Sequence, residues 1–140
     1  METIDFILRL ATALLSGLCI GFERQWHHKS AGLRTNMLVS TGAAIFVLLS
    51  IKYFELDKSI DVTRIIAQVV TGVGFLGAGI IFREGVNVHG LTSAATIWCS
   101  AAIGCVAASG FYIETLVCTA LVVIVNTALE PLDNWLKNRK

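Results

Sequence analysis

The stretch Ile65–Phe82 reads IIAQVVTGVGFLGAGIIF and contains no charged residue. A second uncharged stretch, Thr35–Ile51, reads TNMLVSTGAAIFVLLSI. The hydrocarbon core of a bilayer is about 30 Å thick, and an α-helix of about 20 apolar residues crosses it. Within lipid, only a helix or a closed barrel satisfies its own backbone hydrogen bonds. The two stretches therefore predict membrane-spanning helices.

The composition of the whole chain agrees with this prediction. Hydrophobic residues make up 55% of the 140 residues and charged residues only 15%, whereas a soluble domain carries about 25% charged residues. A chain of this size buries only about two-thirds of its surface on folding, so it could not hide so much apolar surface from water. The net charge of +1 also argues against a nucleic-acid partner. These values exclude an ordinary soluble enzyme and a disordered chain.

The charged residues fall in short groups between apolar runs, which predicts one all-α transmembrane domain over residues 1–140. Five helices are predicted, over residues 6–22, 35–51, 65–82, 91–109 and 111–129. Pro131 is expected to stop the last helix. The first span is preceded by acidic residues and is followed by no small-residue cleavage motif, so we expect a retained helix rather than a signal peptide.

Basic residues near the span ends predict the orientation, because they are enriched in cytoplasmic loops. Seven lie on one side of the five-helix arrangement and three on the other. The seven are Arg24, Lys29, Arg34, Arg83, Lys137, Arg139 and Lys140, and the three are Lys52, Lys58 and Arg64. The N-terminus is therefore predicted outside and the C-terminus in the cytoplasm, with the lipid bilayer as the first partner.

Two pairs of segments resemble each other within the chain. GLCIGFER at Gly17–Arg24 matches GAGIIFRE at Gly77–Glu84, and GLRT at residues 32–35 matches GLTS at residues 90–93. The spacing predicts two parallel helical-hairpin repeats followed by one further helix, an arrangement that places functional sites at the repeat interface. The alternative is chance similarity between membrane segments rich in Gly and Ala.

The glycines of the third span spell GxGxxG at Gly72, Gly74 and Gly77. A dinucleotide site needs this motif between a strand and a helix, and here it lies inside an uncharged span. We therefore interpret the glycines as contacts between closely packed helices, with local unwinding of the third helix left open. The predicted packing glycines are Gly17, Gly21, Gly72, Gly74, Gly77, Gly79 and Gly104.

Charged residues in or beside the spans are functional candidates, because each is costly in lipid unless it is paired. Arg9 and Glu114 lie at similar depths near the outer side, so they are predicted to form an intramembrane pair. A second group forms a predicted inner-rim polar cluster, interpreted as a salt-bridge lattice or as a polar mouth for a cation. Its members are Glu23, Arg24, Arg34, Arg83 and Glu84.

Catalytic and metal-binding patterns are weak. His27 and His28 are adjacent on a loop beside Trp26, which is typical of a membrane interface rather than a metal pair. The four cysteines form no CxxC pair, so neither a zinc site nor a disulfide framework is predicted. We expect no enzymatic activity and no cofactor, and the sequence does not decide whether a metal ion binds.

Four ordered motifs resemble the MgtC/SapB family of bacterial inner-membrane proteins. They are GFER at residues 21–24, AGLRTNxLV at residues 31–39, GxGFLGAG at residues 72–79 and GLTSAAxxW at residues 90–98. The resemblance implies a five-helix membrane domain in the bacterial inner membrane. It also implies a role in adaptation to low Mg²⁺ and related stress, including survival of pathogens inside host cells. Many members carry a cytoplasmic C-terminal domain, and this chain is expected to hold the membrane domain only.

Two hypotheses for function follow. In the first, the protein is a regulatory or accessory membrane protein that packs against itself, as a dimer, or against another membrane protein. In the second, it is a transporter or channel for a cation or small solute that works as a homo-oligomer. The small-residue faces favour the first, and the apparent repeat and the intramembrane charges favour the second.

Overall fold

The computed structural model describes residues 1–137, and these residues are mainly helical. Among them, five helices are long and apolar enough to cross a membrane, which confirms the predicted all-α bundle. The elements in chain order are α1 (Thr3–Trp26), α2 (Leu33–Leu56), α3 (Val62–Ile80), β1 (Phe82–Glu84), β2 (Asn87–His89), α4 (Leu91–Ala108), α5 (Tyr112–Ala128) and α6 (Glu130–Lys137).

The first two helices are longer than the apolar runs that predicted them. α1 continues through Glu23–Trp26 and α2 through Lys52–Leu56, because polar residues at helix ends can reach the headgroup region without breaking the helix. α3 is helical throughout its length, including its four glycines. The local unwinding that the glycines suggested is therefore not observed.

The connection between α3 and α4 is a short β-hairpin that the hydropathy pattern did not predict. Phe82–Glu84 pairs antiparallel with Asn87–His89, and Gly85 in the turn has a φ of 62°, a conformation that favours glycine. The predicted third helix was therefore wrong at its last two residues. The hairpin carries Arg83 and Glu84 beyond the end of α3.

After the last span, the chain forms one further short helix, α6. α5 ends at Ala128, and α6 begins at Glu130 with Pro131 in its first turn, where proline is tolerated because that N–H has no intrahelical partner. Two of the basic residues counted for orientation, Arg139 and Lys140, lie outside the described residues.

α4 lies at the centre of the bundle and contacts α1, α2, α3 and α5. The core around it is built mainly from alanines, with Val47, Leu48 and Ile97 as its larger members. Small side chains let helix backbones approach closely, which is how helices associate in lipid. We call the end of the bundle that holds the C-terminus of α1 the inner end, after the predicted orientation, and the opposite end the outer end.

Helix α3 begins with a side-chain cap. The Asp61 carboxylate accepts a hydrogen bond from the Thr63 N–H at 2.9 Å and another from its hydroxyl at 2.6 Å. These bonds hold the pKa of Asp61 below its ordinary value. By contrast, the N-cap residues before α2 and α4 are Gly32 and Gly90, and neither glycine has a side chain that could cap the helix. Both of these uncapped starts lie at the inner end.

Candidate functional site

The structure divides the predicted inner-rim cluster into buried and exposed residues. Glu23 is 6% exposed and Arg24 is 2% exposed, whereas Arg34, Arg83 and Glu84 are exposed. Arg83 donates to the carbonyl of Gly85 within its own hairpin at 2.7 Å. Among the described residues, the five side chains do not form one salt-bridge lattice, because the hairpin places two of them away from the helix ends.

Glu23 links three helices at the inner end. Its Oε2 accepts a hydrogen bond from Asn126 Nδ2 of α5 at 3.1 Å, and Asn126 lies 3.4 Å from the hydroxyl of Thr96 on α4. Its Oε1 lies 3.1 Å from Nδ1 of His27 but receives no well-aligned hydrogen bond. Asn126 and Thr96, two polar residues inside the spans, therefore help to hold this buried carboxylate.

Arg24 lies beside Glu23 in the chain but turns to a different partner. Its Nη2 donates to the hydroxyl of Ser93 on α4 at 2.8 Å, and Ser30 lies 3.0 Å from the same hydroxyl. No carboxylate among the side chains that the structure describes lies within 4.0 Å of the Arg24 guanidinium, and its buried Nε has no hydrogen-bond partner. Arg24 is therefore a buried cation held by a neutral hydroxyl.

The loop after α1 is tied to the start of α6. Lys29 and Glu130 form an ion pair with Nζ 2.6 Å from Oε1, and His27 Nε2 lies 3.6 Å from the other oxygen of the same carboxylate. His28 is exposed and has a positive φ of 54°. Among residues 1–137, no group of three or more His, Cys, Asp or Glu is placed to hold a metal ion.

Asn36 is a buried polar residue that the sequence reasoning did not select as a site residue. It is fully buried, and its Nδ2 donates to the carbonyls of Ala31 and Gly32, both at 2.9 Å. Its Oδ1 accepts from the Ser100 hydroxyl of α4 at 2.8 Å. The sequence did contain a signal for this role, namely an Asn inside an uncharged span. A buried amide needs several hydrogen-bond partners, so such a residue indicates contacts with other segments. Asn36 therefore fixes the loop before α2 and joins α2 to α4.

The predicted packing glycines fall into two groups. A Cβ built at Gly17 would lie 2.6 Å from the carbonyl oxygen of Asn36, one at Gly21 would lie 2.7 Å from Cα of Leu33, and one at Gly104 would overlap the carbonyl oxygen of Ser40. These three glycines bring helix backbones into contact. Gly77 makes ordinary contact with Ala94. The remaining three have no atom within 4 Å of a built Cβ, and they are Gly72, Gly74 and Gly79.

Two of these contacts occupy matching positions in the predicted repeat. Gly17 faces Asn36, and Gly77 faces Ala94. With GLCIGFER aligned to GAGIIFRE and GLRT to GLTS, Gly17 corresponds to Gly77 and Asn36 to Ala94. The two helical hairpins therefore close through equivalent residues, which supports the prediction of a repeat.

The predicted ion pair between Arg9 and Glu114 does not form in the structure. Arg9 pairs with Asp5 one turn earlier on α1, with Nη2 2.9 Å from Oδ2, and its Nη1 donates to the carbonyl of Ala108 at 3.0 Å. Glu114 lies exposed in the first turn of α5, where a carboxylate interacts favourably with the positive end of the helix dipole. The prediction matched the two residues by depth, whereas the nearer Asp5 lies on the same helix face as Arg9.

Comparisons with known proteins identify relatives of the chain. The model of the MgtC family matches residues 10–135. The chain is 54% identical to Protein MgtC of Brucella abortus over 88% of this chain and 50% of that protein. It is 50% identical to Protein MgtC of Salmonella typhimurium over 92% of this chain and 54% of that protein. It is 43% identical to the uncharacterized protein slr0014 of Synechocystis over 99% of this chain and 58% of that protein.

No solved structure matches the chain. The chain spans about half the length of the curated relatives that it matches. The family model covers nearly all of the membrane bundle described above, from Leu10 in α1 to Trp135 in α6. This multi-pass membrane protein therefore belongs to the MgtC family.

Proposed function

We propose that this protein is a small regulatory or accessory protein of the bacterial inner membrane that acts in adaptation to low Mg²⁺ and related stress. It acts by pairing with a second copy through the glycine face of α3, defined by Gly72 and Gly79, which lie seven residues apart on one side of the helix. The magnesium context comes from the family resemblance. The observation that carries the mode of action is that Gly72 and Gly79 have no atom of the chain within 4 Å of a built Cβ.

An open glycine face is poorly suited to lipid contact. Each glycine inside a helix costs about 1 kcal/mol of helix stability relative to alanine. At a position that faces lipid, no contact compensates for this cost. At a helix–helix interface, glycine is favourable because small residues let two backbones approach closely. The glycines at 17, 21 and 104 already serve this purpose inside the chain, and the α3 face is free to serve it between chains.

A polar group and a groove accompany this face. Gln68 is exposed at membrane depth on α3, and interhelical hydrogen bonds of such amides favour association in lipid. An apolar cavity of about 570 Å³ lies between α2 and α3 and is lined in part by Gln68, Gly42 and Gly72. A second copy that presents the same face would supply both the small residues and the amide, as a two-fold interface requires.

Gly72→Leu tests this proposal. The leucine has room within one chain, so the thermal stability of the single chain should not fall, whereas the pairing of two differently tagged copies in native membranes should fall by about tenfold. Growth of a complemented deletion strain in low-Mg²⁺ medium should fall in parallel. Ala120→Leu, at an exposed position of α5, is the matched control and should leave pairing unchanged. Unaltered pairing and growth in Gly72→Leu would contradict the proposal.

A specific observation also favours the second hypothesis, transport of a cation. Glu23 is a buried carboxylate connected to Asn126 and Thr96 inside the bundle, and buried ionisable residues in membranes often mark ion pathways. Transport predicts Mg²⁺ flux into proteoliposomes that is lost in Glu23→Gln and retained in Arg34→Ala, because Arg34 is exposed. Absence of flux from well-folded protein supports the regulatory role.

A further inference from the structure

We propose that the inner ends of α2 and α4, together with the buried Arg24 between them, form a binding site for a phosphate group. The site is separate from the glycine face of α3, and it requires neither a second copy nor a partner protein. It is built from two helix N-termini, one guanidinium and two serine hydroxyls.

Both helix N-termini at this site are uncapped. α2 starts after Gly32 and α4 after Gly90, and neither has a side-chain cap or an acidic residue in its first turn. The first N–H groups of a helix have no intrahelical partner, and the helix dipole places about half a positive charge at that end. Together these features favour an anion. The start of α3, by contrast, already holds the carboxylate of Asp61.

The two N-termini meet. Ser30 lies two residues before Gly32, the residue that precedes α2, and Ser93 is the third residue of α4. Their hydroxyl oxygens are 3.0 Å apart. The two helices are also joined deeper in the bundle by the hydrogen bond between Ser100 and Asn36. The positive ends of two long helices are therefore directed to one small region.

Arg24 is the observation that points to a ligand. Its bond of 2.8 Å to Ser93 places a guanidinium at the positive end of α4, where a cation is disfavoured. The side chain is 2% exposed, and its Nε has no partner. The neighbouring Glu23 is bonded to Asn126 and approached by His27, and it does not pair with Arg24. The charges of Glu23 and Glu130 act on Arg24 through space, but neither carboxylate lies within 4.0 Å of it. A buried guanidinium without a contacting counter-ion is destabilising, so the arrangement favours an anion.

The donor set defines the chemical class. A guanidinium, hydroxyl groups and backbone N–H groups are the donors that bind phosphate oxygens, and arginine binds them at two positions. Ser30, Arg34 and Thr92 are exposed at the rim of this site. The phosphate can come from a phospholipid headgroup, since helix ends lie at headgroup level, or from inorganic phosphate in solution.

The test is thermal unfolding of the purified full chain in an uncharged detergent. One arm compares sodium phosphate with sodium chloride at equal ionic strength. A second arm compares phosphatidylglycerol with diacylglycerol, which has the same tails without the phosphate. Stabilisation by phosphate salt identifies a soluble ligand, and stabilisation by phosphatidylglycerol alone identifies a headgroup. Absence of both responses overturns the proposal.

Ser30→Asp locates the site. The new carboxylate occupies the rim, so the apparent affinity for the stabilising probe should fall by at least about tenfold, which corresponds to about 1.4 kcal/mol. Ser59→Asp, an exposed serine of the outer loop, is the matched control and should respond like the wild type. Arg24→Lys should also weaken the response, because lysine lacks the planar fork. Equal responses in the two aspartate variants would assign the stabilisation to general ionic effects and refute the site.

Discussion

Gly104→Ala should separate α2 from α4 and give one of the largest losses of stability available from a single methyl group in this protein. A Cβ at Gly104 would overlap the carbonyl oxygen of Ser40 and crowd its backbone, and backbone atoms cannot rotate away as a side chain can. Overpacking usually costs about 1–3 kcal/mol, and a backbone contact belongs at the upper end of that range. The free energy of unfolding, measured by titration with a denaturing detergent, should fall by about 3 kcal/mol.

The neighbouring contacts make this strain hard to relieve. The hydroxyl of Ser40 donates to the carbonyl of Ala13 on α1 at 2.8 Å, so any movement of α2 away from α4 also disturbs its contact with α1. Gly72→Ala is the control, because it makes the same chemical change on α3 with no atom within 4 Å. It should be neutral or stabilising by up to about 1 kcal/mol through helix propensity. Equal losses in the two variants would show that the close contact at Gly104 is not formed.

Asn36→Ala should produce the second large effect, of about 3 kcal/mol. The change leaves the Ser100 hydroxyl and the carbonyls of Ala31 and Gly32 without the partners they have in the structure. Each buried polar group that loses its partner costs about 1–3 kcal/mol. The same unfolding titration measures the loss. Asn87→Ala, in the exposed hairpin, is the matched control and should change the free energy of unfolding by less than about 0.5 kcal/mol.

A double-mutant cycle separates the Asn36–Ser100 bond from the rest of the effect. Ser100→Ala removes the hydroxyl that donates a hydrogen bond to Oδ1 of Asn36. The effects of the two changes on the free energy of unfolding should therefore be coupled by about 1 kcal/mol. The remaining loss belongs to the two carbonyls before α2. Additive effects of the two single changes would mean that this hydrogen bond does not join α2 to α4.

The number and the type of the membrane-spanning elements could be predicted because the bilayer imposes them. A helix that crosses about 30 Å of hydrocarbon must be long and nearly uncharged, and this requirement acts on each segment alone. Ile65–Phe82 and Thr35–Ile51 therefore predicted spanning helices without reference to any other part of the chain. The β-hairpin at Phe82–His89 was not predicted, because its strands are only three residues long and hydropathy marks residues 83–90 simply as a polar connection between two spans.

The partners of the charged residues could not be predicted in the same way. Depth in the membrane paired Arg9 with Glu114, whereas in the structure Asp5 is one helical turn from Arg9. The predicted inner-rim cluster placed Glu23 and Arg24 at one helix end, and in the structure both are buried. It did not predict that Arg24 would bind Ser93 instead of a carboxylate, because partner choice depends on the rotation of each helix about its axis.

The sequence by itself determined the membrane environment, the five spanning helices and the family, because hydropathy and ordered motifs are properties of single segments. Only the tertiary structure decided which small and polar residues are used within the chain. Gly104 and Gly72 both lie in apolar helices, yet one meets a neighbouring backbone and the other meets no atom of its own chain. A glycine has no side chain to indicate its direction, so its role depends on where the neighbouring helix lies.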